Sequence, residues 1–210
     1  MHRSILILCV CCIVQTGGLF AQNASKKPAV LIVYFTRAQN IQQSTGTVDA
    51  TSQASVNLVN GKYTGNTELI AEWIQQEVDG YLFAIKTVTP YSADYDISVN
   101  QGQKENREKA RPALVTRVPN MEKYNIVFVG FPNWWYDMPM AMYTFFETYD
   151  LSGKTVIPFC TSGGSGFSGA IKTIRDLEPK AIVREGLTVR DSQSLQGKQT
   201  VKSWLKKLGF

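Results

Sequence analysis

The run Ala29-Val30-Leu31-Ile32-Val33-Tyr34-Phe35 constrains the fold of this chain more than any other feature. It is continuously apolar, rich in β-branched residues and closed by the polar pair Thr36-Arg37, so an extended segment here must be covered on both faces. Strands of that kind belong in a parallel sheet with helices packed above and below it. Similar segments recur at Tyr81 to Val88, Ile126 to Gly130, Thr155 to Cys160 and Gly186 to Val189, the last led in by Ala181 to Val183. Helical patterns alternate with them. Leu69, Ile70, Trp73, Ile74 and Val78 form one apolar stripe, opened by Thr64-Gly65-Asn66-Thr67-Glu68 and closed by Asp79-Gly80. Further helices are expected from Pro139 to Tyr149, from the glycine-rich loop to about Leu177, and at the C-terminus, where Val201, Trp204, Leu205 and Leu208 share a face. Ser98 to Lys109 is polar enough for an exposed helix or a loop. The expectation is an α/β fold: a doubly wound open sheet of five parallel strands with helices on both faces.

The N-terminus follows the pattern of an export signal. Met1-His2-Arg3-Ser4 precedes the apolar run Ile5 to Val14, and Gly17, Gly18 and Ala21 follow before polar residues begin. The run is short of the roughly 20 residues that span a bilayer. We therefore expect residues 1–21 to be a cleaved signal peptide, 22–28 an exposed segment, and 29–210 the folded domain. That domain would be exported, periplasmic in a two-membrane bacterium, with no stable membrane insertion after cleavage. Cys9, Cys11, Cys12 and His2 would leave with the signal, so the mature chain keeps Cys160 alone and has no histidine. An internal disulfide, Ser-His-Asp or Cys-His catalysis and a His-rich metal site are then excluded. The net charge of +5 is spread along the chain, which gives no footprint for nucleic acid. Chemistry brought by a cofactor remains.

Ligands of open parallel sheets bind beyond the carboxyl ends of the strands, so the loops after the first, third and fourth strands carry the candidate site. The first offers Thr36 and Arg37 and, after an insertion at about 38–63, Thr64, Gly65, Asn66 and Thr67 at a helix N-terminus. Hydroxyls and helix N–H groups there suit a phosphate, or they simply cap the helix. The insertion is rich in Ser, Thr, Gln and Asn and reads as a small lid or as a solvated loop. The second loop, Pro132-Asn133-Trp134-Trp135-Tyr136-Asp137, places three aromatics where the chain leaves the sheet, to stack on a flat ring or to plug the sheet edge. The third, Thr161-Ser162-Gly163-Gly164-Ser165-Gly166, lets backbone approach a heterocycle or serves as a turn. Gly164 to Gly169 also matches G-x-G-x-x-G, with Glu185 downstream, but too little chain follows for a dinucleotide-binding half.

Taken together, Tyr34-Phe35-Thr36-Arg37, Thr64-Gly65-Asn66-Thr67, Ala110-Arg111-Pro112, Gly130 to Trp135 and Gly153 to Gly166 give the chain a resemblance to the flavodoxin-like family from Ala29 to the end. The resemblance implies strand order 2-1-3-4-5 and FMN as cofactor. It places phosphate contacts at Thr36, Arg37, Asn66 and Thr67. Ring contacts fall at Trp134, Trp135, Tyr136, Thr161, Ser162 and Gly163, and Thr64, Gly65, Pro132, Asn133, Gly164 and Gly166 complete the implied cofactor-binding set. The implied function is electron transfer with a redox partner protein or a small-molecule acceptor. The alternatives are an NAD(P)H-dependent flavin or quinone oxidoreductase on the same fold, and a non-redox binding module that has lost FMN. Two departures stand out. The phosphate loop is split by the insertion, and Tyr136 occupies a position where related sequences often have a small residue.

Overall fold

The computed structural model describes residues 29–42 and 55–210. The expected signal (1–21), the segment 22–28 and residues 43–54 of the insertion lie outside the described residues. Strand β1 (Val30–Phe35) is buried along its whole length, as its composition requires. The antiparallel hairpin β2 (Val56–Val59) and β3 (Lys62–Gly65) turns at Asn60-Gly61 and runs straight into helix α1 (Asn66–Val78). Strand β4 (Tyr81–Ile85) lies parallel to one side of β1 and β5 (Ile126–Pro132) to the other, and β6 (Thr155–Ser162) continues the parallel sheet beyond β5. In order of appearance the main strands therefore lie 2-1-3-4, and the fifth position closes the edge.

That fifth position holds two short strands where one was expected. β7 (Ile182–Val183) pairs with the start of β6 and β8 (Leu187–Arg190) with its end, both in parallel. Pro158 lies in β6 between the two stretches and has no N–H to contribute, so the ladder is interrupted there. β4 also stops short of the expected Val88. Beyond Ile85 the chain pairs sideways, with Val88 N–H donating to Ala113 O and Val115 N–H to Lys86 O, both at 2.8 Å.

Alternation along the strands divides the core. Ile32, Tyr34, Phe128, Ile157 and Phe159 face α1 and the C-terminal helix α5 (Lys198–Leu208), meeting Ile70, Ile74, Val201 and Trp204. Leu31, Val33, Phe35, Val127, Val129 and Phe131 face the other way, onto α3 (Met140–Thr148) and α4 (Ala170–Leu177), including Phe145 and Ile174. Each such side chain contributes about 1.5–3 kcal/mol on burial, which is why both layers are closed. Helix α2 (Tyr95–Glu108) is capped by Asp94, whose side chain accepts the Ile97 N–H at 2.9 Å. It stands over the carboxyl ends of the central strands and walls the site described next.

Candidate functional site

A cavity of about 520 Å³ opens at the carboxyl ends of β1, β5 and β6. This is within the range of pockets that enclose a cofactor-sized ligand. Arg37, Pro132, Asn133, Trp134, Trp135, Tyr136, Thr161, Gly163 and Gly164 line it, so all three loops singled out in the sequence converge there. Thr36, Thr64, Gly65, Asn66, Thr67, Ser162 and Gly166 do not line it. They form the buried layer behind the wall or shape its loops. Ser165, of the same glycine-rich loop, also lines the cavity, and Ser55, Tyr95, Ser98, Val99, Gly102 and Asp191 complete the lining and had no signal of their own in the sequence.

The layer behind the wall is a dense polar network at the start of α1. Asn66 is fully buried. Its Oδ1 accepts from Asn57 Nδ2 and, at 2.8 Å, from Ser194 Oγ, and its Nδ2 donates to Asp191 Oδ1 at 3.0 Å. Thr67 Oγ1 and Thr161 Oγ1 are 2.9 Å apart, tying α1 to β6. Glu68 accepts the Gly65 N–H at 3.1 Å, the one half of a capping box that a glycine N-cap allows, and it also accepts from Gln39 Nε2 at 2.6 Å. Against this saturation one atom stands out: the buried Thr36 Oγ1 has no hydrogen-bond partner among the described residues. It lies directly against the backbone of Gly65, where an added Cβ would come within 1.7 Å of it.

Arg37 is 2% exposed, yet it reaches the cavity. Its Nη2 donates to Ala93 O at 2.6 Å and to Ser92 O at 3.2 Å, and the guanidinium lies 5.8 Å from the centroid of the Tyr95 ring. These bonds tie the loop after β1 to the entry of α2.

The three consecutive aromatics part company. Trp134 packs edge-on against Phe35 and Tyr91, with ring centroids 5.4 and 5.2 Å away, and lies close over Gly102. Trp135 and Tyr136 form a two-residue turn closed by Trp134 N–H to Asp137 O and Asp137 N–H to Trp134 O. Both have positive φ, 55° and 62°, a conformation that costs bulky side chains free energy and concentrates at functional sites. Trp135 Nε1 donates to Val99 O at 3.3 Å, whereas Tyr136 projects at the rim with 73% of its surface exposed. One aromatic is thus core and two are rim.

Opposite them, the loop after β6 is bent around Ser162, whose Oγ accepts the N–H groups of Gly164 and Gly166 at 3.3 and 3.0 Å. Gly164 and Gly166 have φ of 142° and 58°, so this curve needs glycine. Asn133 Nδ2 donates to Gly166 O at 2.8 Å and joins the aromatic loop to the glycine loop. Beneath them, burial pushes the Cys160 thiol well above its ordinary value, which keeps it protonated and inert. Asp191 is the acidic group on the cavity wall; burial raises its carboxyl to about 6, partly offset by the bond from Asn66.

Among the described residues no group of His, Cys, Asp and Glu is placed to hold a metal ion, and no helix is long and apolar enough to cross a membrane. Comparison with known proteins agrees with this geometry. A flavodoxin family model matches residues 56–208. A crystal structure from Bacteroides uniformis ATCC 8492, provisionally named a flavoprotein, is 29% identical, with a TM-score of 0.64 over 86% of this chain and 99% of that one. A similarly named structure from Bacteroides eggerthii DSM 20697 is 26% identical, with a TM-score of 0.65 over 87% and 98%. A flavoprotein from Lactobacillus acidophilus NCFM, solved in complex with FMN, shares the fold at 16% identity and a TM-score of 0.57 over 82% and 99%. No curated protein matches the chain. The matched model spans most of the sequence and includes the α2, β5 and β6 walls of the cavity, and the chain belongs to the flavodoxin family.

Proposed function

We propose that the protein binds FMN in this cavity and serves as an electron carrier. The observation that carries the reading is the pairing of a ring-sized cavity with an orphaned hydroxyl in the buried layer behind its wall, against Gly65 at the start of α1. A buried hydroxyl without a partner costs about 1–3 kcal/mol, and an anionic oxygen seated beside Thr36 Oγ1 and the α1 N-terminus would relieve that cost. The residues present therefore fit a flavin phosphate at one end and a flat ring at the other. The FMN-bound flavoprotein structure from Lactobacillus acidophilus NCFM, on the same fold, supports the assignment of cofactor.

When bound, FMN would supply the electron chemistry, which no side chain lining the cavity offers. The chain's own contribution is to hold and shield it. Trp134 fixes the inner wall, the backbone of Gly163 and Gly164 approaches the opposite side, and α2 closes the cavity from above through Tyr95, Val99 and Gly102. Trp135 and Tyr136 stand at the rim, where a small-molecule acceptor or a redox partner protein would approach. We further propose that this happens outside the cytoplasm, on the strength of the apolar run Ile5 to Val14 and its flanking residues.

The test is titration of flavin-free protein with FMN, followed by flavin fluorescence and the visible spectrum. Stoichiometric quenching is expected, with a reversible reduction wave for the bound flavin. A protein that stays colourless would overturn the proposal. Steady oxidation of NAD(P)H by the purified holoprotein would replace the carrier with a reductase.

A further inference from the structure

Asp191 is unusual on this wall. A site for a phosphorylated ligand gains from positive charge, yet this carboxyl lines the cavity and accepts a hydrogen bond from Asn66, the first residue of the helix whose N-terminus would receive the phosphate. Charged and titratable groups approach it from several elements. Glu68 lies in the first turn of α1, and the Cys160 thiol lies in β6 below. Arg190 precedes it in the chain and lies near Gly164 in the glycine loop, while Arg37 stands on the same cavity wall, bonded to Ser92 and Ala93. None of these forms an ion pair with Asp191, whose identified partner is the neutral amide of Asn66.

Resting on the FMN reading above, we propose that Asp191 makes loading of a phosphorylated flavin proton-linked, its carboxyl taking up a proton from solvent as the phosphate enters. The balance is simple. The carboxylate and the incoming phosphate are both anions in a partly buried site, where their repulsion is much less screened than in water. Protonating the carboxyl removes one of the charges. The Asn66 bond survives, because Asn66 Nδ2 can still donate to the carbonyl oxygen of the neutral acid. The ordinary carboxylate would be fully ionised at neutral pH, whereas burial already brings Asp191 to about 6, within reach of physiological protons.

The consequence has a sign. FMN should bind more weakly as pH rises from about 6 to 8, with Kd growing by up to about tenfold per unit. Asp191→Asn should flatten that slope and tighten binding at pH 8. The slope expected from the phosphate's own ionisation near pH 6 is common to both proteins and is read from the variant. Calorimetry of the full-length protein with FMN at pH 7.5, in two buffers of different ionisation heat, should show net proton uptake that the variant lacks. Riboflavin, which has no phosphate, should show none with either protein.

Because Asp191→Asn disturbs a buried network, a second measurement uses the wild-type chain alone. The carboxyl 13C resonance of Asp191 is followed against pH without and with saturating FMN. A midpoint that moves upward on loading is the expected result. A midpoint that stays fixed or falls, as it would if the carboxylate accepted a bond from the flavin side chain, overturns the proposal while leaving FMN binding intact. Absence of FMN binding in the wild type instead removes the functional reading on which it rests.

Discussion

Gly130, in the middle of β5, has ordinary strand geometry, so its constraint is contact. A Cβ added there would lie 2.0 Å from the Phe159 ring and within 2.8 Å of two further ring carbons. Phe159 is fully buried against α1 and cannot swing out without opening that core. Gly130→Ala should therefore destabilise the fold by about 1–3 kcal/mol, seen as a lower urea midpoint with an unchanged slope. A midpoint equal to the wild type's would mean that Phe159 has room the structure does not show. At this scale the sequence was only partly legible. Thr36 and Arg37 stood out because a buried strand ended on them, and Trp134 to Tyr136 because three aromatics met at a loop. What could not be read was their division into one core ring and two rim rings, since that depends on the turn that gives Trp135 and Tyr136 positive φ. Ser55, Tyr95 and Asp191 were invisible for a related reason: each is an ordinary polar or aromatic residue that tertiary packing brings to the cavity.

Among the elements, the parallel strands and the helices with an apolar stripe were readable because burial imposes periodicity. The hairpin of β2 and β3 was not, although its turn is Asn60-Gly61, a pair suited to a two-residue hairpin. It lay within a polar stretch that read equally as a small lid or as a solvated loop. The split of the fifth strand was hidden too, because its cause lies in a neighbour, Pro158. One cross-element support does connect a sequence motif to the site. Arg111, of Ala110-Arg111-Pro112, lies 4.9 Å from the Tyr143 ring centroid and pairs with Glu147 at 2.7 Å. Tyr143 Oη donates to Asp137 Oδ2 at 2.5 Å, while Asp137 Oδ1 accepts the Met138 N–H at 2.9 Å. Asp137 is the end of the aromatic turn, so α3 clamps the rim through it. Tyr143→Phe removes the hydrogen bond to Asp137, worth about 0.5–1.5 kcal/mol, and should weaken FMN binding by about two- to tenfold. Unchanged affinity would mean that the two backbone bonds between Trp134 and Asp137 hold the turn unaided.

For the whole molecule, the distribution of raised carboxyls sets how stability depends on pH. Burial lifts Asp191 to about 6 from 3.8 at the cavity. At the far end of the sheet it lifts Glu178, which accepts the Leu151 N–H beside the start of β6, to about 6 from 4.5. A carboxyl with a higher value in the folded than in the unfolded state binds more protons when folded across the interval between the two values. Stability therefore falls as pH rises through that interval, from about 4 to about 6, and is level above about 7. The exposed carboxyls of Glu147 and Asp150 are shifted the other way, so their contributions are lost only as pH falls through lower values, where acid unfolding begins. The flavin-free protein should consequently be more stable at pH 5 than at pH 7, despite a net charge of +5 at pH 7 that grows on acidification. Urea midpoints measured from pH 4.5 to 8 test this, and the double variant Asp191→Asn, Glu178→Gln should lose most of the dependence between pH 5 and 7. A wild-type midpoint that instead climbs from pH 5 to 7 would mean that self-repulsion among the positive charges outweighs both buried acids. With saturating FMN present, the Asp191 share should shift to higher pH while the Glu178 share stays in place, because only Asp191 lines the cavity. The two carboxyls thereby give separate signals at opposite ends of one sheet.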